Sequence, residues 1–212
     1  MNKIVILLMT IVLVGCKKNQ NLQSIYTEPN SIKTTLDLNQ FNRLVKVPID
    51  TNKSVVTWKG TKLRRTGKHE GIVKFKEGEL LFSEGKLSGG YFTVDMKSIY
   101  ITDIPLSDPI PRKNITRHLN SDFETSIFPN ASFIIKEISA LNSTHWSLSG
   151  NMTIKGITKP IQVVLNELEK GKAFGSSFSI NRSEWKIGEN GSWLEKKLVD
   201  EEIVLNVNIV VL

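Results

Sequence analysis

A chain of 212 residues with one cysteine, Cys16, cannot form an internal disulfide, a CxxC redox pair or a thiolate metal cluster. Three histidines, His69, His118 and His145, lie far apart in sequence, and none has a neighbouring histidine at metal-ligand spacing. No G-x-S-x-G elbow is present, and the Gly-containing stretches lack the Lys-Ser/Thr of a phosphate loop. Serines are frequent, but none is set beside a histidine and an acid in a recognisable pattern. Long apolar runs are missing as well. The longest, Ile4 to Val14, falls well short of the roughly 20 residues that cross a bilayer as a helix. These absences argue against thiol, metal and nucleophilic catalysis, and no catalytic residue or cofactor is expected.

What is present begins with that short apolar run. Lys3 precedes it, and its length is that of the central region of a secretory signal peptide. Leu13-Val14-Gly15-Cys16 then resembles the lipobox of bacterial lipoproteins. The expected outcome is cleavage before Cys16, lipid attachment at its thiol and acylation of the new amino group. Several acyl chains anchor a protein stably where one does not. Residues 1–15 are therefore read as a lipoprotein signal peptide and 16–41 as the lipidated cysteine with a flexible tether. The tether is rich in Asn, Gln, Ser, Thr and Lys, a composition that cannot bury enough apolar surface to offset ordering. The partner at this end is a membrane, in a bacterial cell envelope.

The formal charge is +7, from 28 basic and 21 acidic residues. The basic residues are scattered, apart from Lys62 to Arg65 and Arg112-Lys113. A solvated basic surface near anionic headgroups is the expected meaning, with no nucleic acid as partner.

From about residue 42 the pattern becomes period two, that of half-buried strands. Turns are read at Glu77-Gly78, Ser83-Glu84-Gly85, Lys155-Gly156 and Lys170-Gly171. Pro160 places its strand at an edge or a bulge. The proline-rich middle predicts a short helix starting near Asn114, a second turn capped by Ser121 and Glu124, and a stop at Pro129. Leu119 and Phe123 share a helix face. Eight or more strands with Gly-containing turns make a sandwich or a barrel, and closure would remove exposed edges. Alternation assigns to the inner face Trp58, Val73, Phe75, Phe92, Val94 and Met96. In the second half it assigns Phe133, Ile135, Trp146, Met152, Phe174, Phe178, Leu205 and Val207. An eight-stranded interior is either filled by side chains or holds one small ligand, and the pattern leaves both open.

Three stretches in order resemble the YceI family of bacterial envelope proteins. They are "WKGTKLRRTGKHEGIVKFKEGEL", "GGYFTVDMKSIYITD" followed by "RHLNSDFETSIFPNASF", and "LSGNMTIKGITKPIQVVLN". "FGSSFSINRSEWKIG" and "DEEIVLNVNIVVL" complete the likeness over residues 42–212. The resemblance implies an all-β, extended, antiparallel, lipocalin-like barrel of about eight strands with a short helical insert. It also implies a bound polyisoprenoid or similar amphiphile such as an isoprenoid quinone, and homodimers are known among its members. The residues named by alternation are then the expected ligand contacts. Beside the resemblance, His118 is read as a structural hydrogen-bonding group that could also touch a headgroup at the barrel mouth, and Arg112, Arg117 and Arg182 are read as solvated surface groups, with a polar head as the alternative for each. Two departures stand out. The lipobox is one, and Glu124, where the family often has a second aromatic residue, is the other. The rival readings are a filled-core lipoprotein that binds a protein partner and an enzyme acting on an envelope lipid.

Overall fold

The computed structural model describes residues 44–62, 67–189 and 199–212. The signal peptide, Cys16, the tether and the Leu63-Arg64-Arg65 part of the basic run lie outside them. Among the described residues, nine strands are arranged as β1 (Leu44–Pro48), β2 (Val55–Lys62), β3 (Lys68–Ser83), β4 (Lys86–Ile101), β5 (Asn130–Ala140), β6 (His145–Ile154), β7 (Ile157–Glu169), β8 (Ala173–Asn181) and β9 (Val199–Val210). Helix α1 (Pro109–Asp122) interrupts the meander between β4 and β5.

The ladder runs β3-β2-β9-β8-β7-β6-β5-β4 and returns to β3, so eight antiparallel strands close a barrel. β1 adds no ninth stave. It pairs with the second half of β3 (Leu44 opposite Ser83, Pro48 opposite Glu79), while β2 pairs with the first half (Val55 opposite Lys74, Thr61 opposite Lys68). The two behave as one strand broken by the excursion at 49–54. Ile49 and Val211 bridge across that break.

Closure leaves the barrel with two unlike poles. The tight turns at 83–86 and 169–173 and the start of β1 lie at one. At the other are α1, the turn at 154–157 and the 3-10 turn Arg182–Trp185. Ser83-Glu84-Gly85 turns as expected, with Glu84 and Gly85 at φ 52° and 76°. Lys155-Gly156 does the same, at 51° and 71°.

Several local expectations are corrected. Glu77-Gly78 is not a turn: β3 runs straight through it, with a register shift between Phe75 and Glu77. A small residue is needed there because a Cβ on Gly78 would stand 2.8 Å from the Phe92 ring. Helix α1 starts five residues before Asn114, with Asp108 at the N-cap and Pro109 in the first turn. Proline suits that position, since the first-turn N–H groups have no intrahelical acceptor. Ser121 and Glu124 open no second helix. Phe123 ends the first, and Glu124 has φ 48°, which stops helical propagation. Pro160 sits in β7 opposite Asn151, on a stretch that has no ladder partner in β8. That edge-like setting is the one its missing N–H requires.

The inner wall is built from aromatic rings lying against glycines on the next strand. Trp58 is opposite Gly71, and Phe92 is opposite Gly78. The Phe133 ring lies over Gly150. An added Cβ would be 2.8 Å from Trp58 Cζ2 at Gly71 and 2.6 Å from Phe133 Cε2 at Gly150. Gly71→Ala would also collide with the Tyr100 carbonyl oxygen. Overpacking of this kind costs about 1–3 kcal/mol, so Gly71→Ala should lower the urea midpoint clearly. Gly60→Ala, where an added Cβ meets nothing within 4 Å, should leave the midpoint unchanged or slightly raised. Equal midpoints for the two variants would contradict the ring-on-glycine wall.

Candidate functional site

A cavity of about 680 Å³ occupies the barrel and reaches the helix-bearing pole. That volume lies within the roughly 300–1,000 Å³ of small-molecule sites. Its wall is almost wholly apolar. Eleven residues assigned by alternation line it: Trp58, Val73, Phe75, Phe92, Val94, Met96, Phe133, Met152, Phe178, Leu205 and Val207. The strand register explains their meeting. Trp58 is opposite Leu205, which is opposite Phe178 on the next strand. Phe92 is opposite Phe133, which is opposite Met152.

Ile135, Trp146 and Phe174 also face inward but do not line the cavity. They belong to a packed cluster at the far pole with Ile49, Leu80, Leu87 and Ile209. Phe174 is fully buried there, and its ring stands 6.2 Å from that of Trp146 at a tilt of 59°. The barrel is thus plugged at one pole and hollow toward the other, which joins the two alternatives that alternation left open.

The sequence pattern did not single out several further wall residues. Ile161, Val163 and Leu165 come from β7, and Ile180 from β8. In "PIQVVLN" a proline and consecutive apolar residues blur the alternation. Helix α1 turns Ile115, Leu119 and Phe123 toward the cavity, with Asn114, His118 and Asp122 beside them. The face shared by Leu119 and Phe123 is the one their spacing predicts, and Ile115, four residues earlier, extends it.

The polar groups at this pole are mostly engaged with one another. His69 Nδ1 lies 3.0 Å from Asp103 Oδ2, and the Glu70 N–H donates to Asp103 Oδ1 at 3.3 Å. The Glu70 carboxylate itself turns to the Lys68 ammonium, at 3.0 Å. His118 Nε2 lies 3.5 Å from Asp122 Oδ2, one helical turn on. His145 is elsewhere, with Nδ1 2.9 Å from Asn142 Oδ1. Among the described residues, no three His, Cys, Asp or Glu side chains converge as a metal site would require.

The arginines are also placed. Arg182 is not a solvated surface group: its guanidinium donates to the carbonyls of Asp200, Ile187 and Val199 at 3.1, 3.0 and 3.4 Å. It thereby ties the end of β8 to the start of β9. Arg112 stacks 4.6 Å above the Tyr100 ring, donates to its hydroxyl and reaches the Ile104 carbonyl at 2.6 Å. These contacts fasten the first turn of α1 to β4. Glu124 pairs with the nearly buried Lys155 ammonium at 2.8 Å. A carboxylate at that position therefore has a structural partner. Thr61 donates to Asp200, closing the rim between β2 and β9.

One polar atom at the wall stands apart. Trp58 Nε1 is buried and has no hydrogen-bond partner among the described residues. A buried donor left unsatisfied is costly, by about 1–3 kcal/mol, and an acceptor brought by a ligand would relieve it.

Comparison with known proteins fits this geometry. The family model for the YceI-like domain matches residues 48–211. A search of the curated proteins gives no match. Among solved structures, BcnA of Burkholderia cenocepacia is similar at 22% identity and a TM-score of 0.63, covering 76% of this chain and 98% of its own. The YceI protein of Campylobacter jejuni is similar at 20% identity and a TM-score of 0.45, covering 60% of this chain and 72% of its own.

Proposed function

The chain belongs to the YceI-like domain family, and on that premise we propose that its barrel binds one long-chain isoprenoid or similar amphiphilic lipid, such as an isoprenoid quinone. It carries or stores that molecule at a bacterial envelope, held to the membrane by a lipidated Cys16. The observation that carries the reading is the apolar cavity, closed by the Phe174 plug and reaching the helix-bearing pole. Burying an aliphatic chain there releases roughly 0.8 kcal/mol per CH₂. A wall this apolar gives little orientation by itself, so the polar end of the ligand must be placed by few groups. Trp58 Nε1 is one donor for a carbonyl oxygen, and His118 and Asn114 border the pole. The filled-core reading loses its ground where a cavity of this size exists. A protein-binding role has no observation in its favour that the lipid reading lacks.

Two measurements test this. Native mass spectrometry of the chain purified from bacterial cells should show one stoichiometric apolar adduct of isoprenoid or quinone mass. Phe133→Glu with Phe178→Glu should remove it while the circular dichroism stays β-rich. Trp58→Phe should weaken a quinone by about twofold to tenfold, the worth of one neutral hydrogen bond of about 0.5–1.5 kcal/mol, and leave a hydrocarbon of equal length unaffected. A chain that stays free of adduct after incubation with these lipids would sink the carrier reading. For the anchor, Cys16→Ser should abolish incorporation of labelled palmitate in growing cells, and undiminished label would remove Cys16 from that role.

A further inference from the structure

The segment between β4 and β5 has an inner side that borders the cavity and an outer side that faces solvent. The outer side is unusually apolar. Leu106, Ile110 and Ile127 are 78%, 73% and 66% exposed, the highest values among the large hydrophobics of the described residues apart from the C-terminal Leu212. Leu106 and Ile110 flank the start of α1, and Ile127 follows its end. Along the helix, Ile110, Lys113 and Arg117 follow at spacings of three and four, so they share a face. Ile115, Leu119 and Phe123 occupy the cavity side.

The charges on this segment are sorted in the same way. Asp103 is engaged by His69, Asp122 by His118 and Glu124 by Lys155. Only Asp108 remains of its acids. Lys113 and Arg117 have no carboxylate partner among the described residues, and Arg117 bonds only the Asn114 amide, at 3.3 Å. The surface therefore offers aliphatic side chains beside unneutralised cations, the pairing that suits the headgroup region of an anionic bilayer. The plugged pole also exposes aliphatics, Leu44, Val45, Leu141, Leu168 and Leu212. These are spread over β1, the turn after β5, the end of β7 and the last residue, and Leu168 is flanked by Glu167 and Glu169.

We propose that the α1 rim is a docking surface for an anionic lipid bilayer. Leu106 and Ile110 enter the headgroup layer, Lys113 and Arg117 meet lipid phosphates, and the cavity pole is set against the membrane. The inference goes beyond the ligand reading and fails separately from it, since docking is read without any ligand being measured. Chain reach permits it. The 27 residues between Cys16 and Leu44 can span at most about 95 Å, taking 3.3–3.6 Å per residue. The 16 residues of β3 measure roughly 50 Å along the strand at about 3.3 Å each. An anchor joined to the plugged pole can thus let the opposite pole turn to the same bilayer.

The test uses the full chain with Cys16→Ser and one new cysteine, Leu106→Cys, Ile110→Cys or Leu168→Cys, each carrying an environment-sensitive fluorophore. All three sites are exposed, so the label leaves the core intact. Whatever part of the N-terminus holds the chain at a vesicle, the label reports which pole meets lipid. With phosphatidylglycerol vesicles, the labels at 106 and 110 should shift to the blue and brighten severalfold, while the label at 168 stays unchanged. Lys113→Glu with Arg117→Glu, or 0.5 M salt, which shortens the screening length to about 4 Å, should reverse most of the change. No shift at 106 and 110, an equal shift at 168, or the same response with purely phosphatidylcholine vesicles would overturn the proposal.

Discussion

Closing eight strands onto themselves while leaving a lumen requires that the largest side chains lie along the wall. The contacts of Trp58 over Gly71, Phe92 over Gly78 and Phe133 over Gly150 meet that requirement. A β-carbon under any of these rings would push it toward the axis, where an eight-stranded barrel has little room to spare. The glycines are often read as turn signals, yet here they sit within β3 and β6 and supply the space that keeps the centre open. The cavity depends on them, and so does the functional reading.

The barrel then divides along its axis. At one pole Phe174, Leu80, Leu87 and Ile209 pack solidly, joined by Ile49 from the break between β1 and β2. At the other, no such plug forms among the described residues. Trp185 and Ile187 bury against the wall, Arg182 stitches the strand ends through backbone carbonyls, and α1 borders the cavity without a single fully buried residue. Its N-cap side chain makes no capping bond, and its first turn has no acid to complement the helix dipole. The helix relies on Arg112 against Tyr100 and on Ile115, Leu119 and Phe123 over the lumen. A weakly held element over a hollow pole and a packed core at the other fit a molecule that enters from one side.

Much of this was legible in the sequence, and the failures have physical causes. Strand alternation found the inward sides of β2 to β6, β8 and β9, since each strand faces core on one side and water on the other. It could not give height along the axis. Ile135, Trp146 and Phe174 therefore appeared as ligand contacts when they form the plug. β7 escaped because its apolar residues run consecutively beside Pro160. The helix start was displaced to Asn114 because Pro109 and Pro111 look like breakers when first-turn positions tolerate them. Pairs such as Glu124 with Lys155 or His69 with Asp103 join residues more than 30 apart, and no local spacing announces them.

The central claim is that an apolar molecule occupies the lumen between the Phe174 plug and α1. The most direct measurement is a crystal structure of the chain grown with a terminally brominated long-chain amphiphile, using anomalous scattering to place the bromine. The account predicts one strong bromine position inside the barrel, among Phe75, Phe92 and Val207. Bromine found only on the outer surface, with the lumen collapsed or filled by repacked side chains, would contradict it.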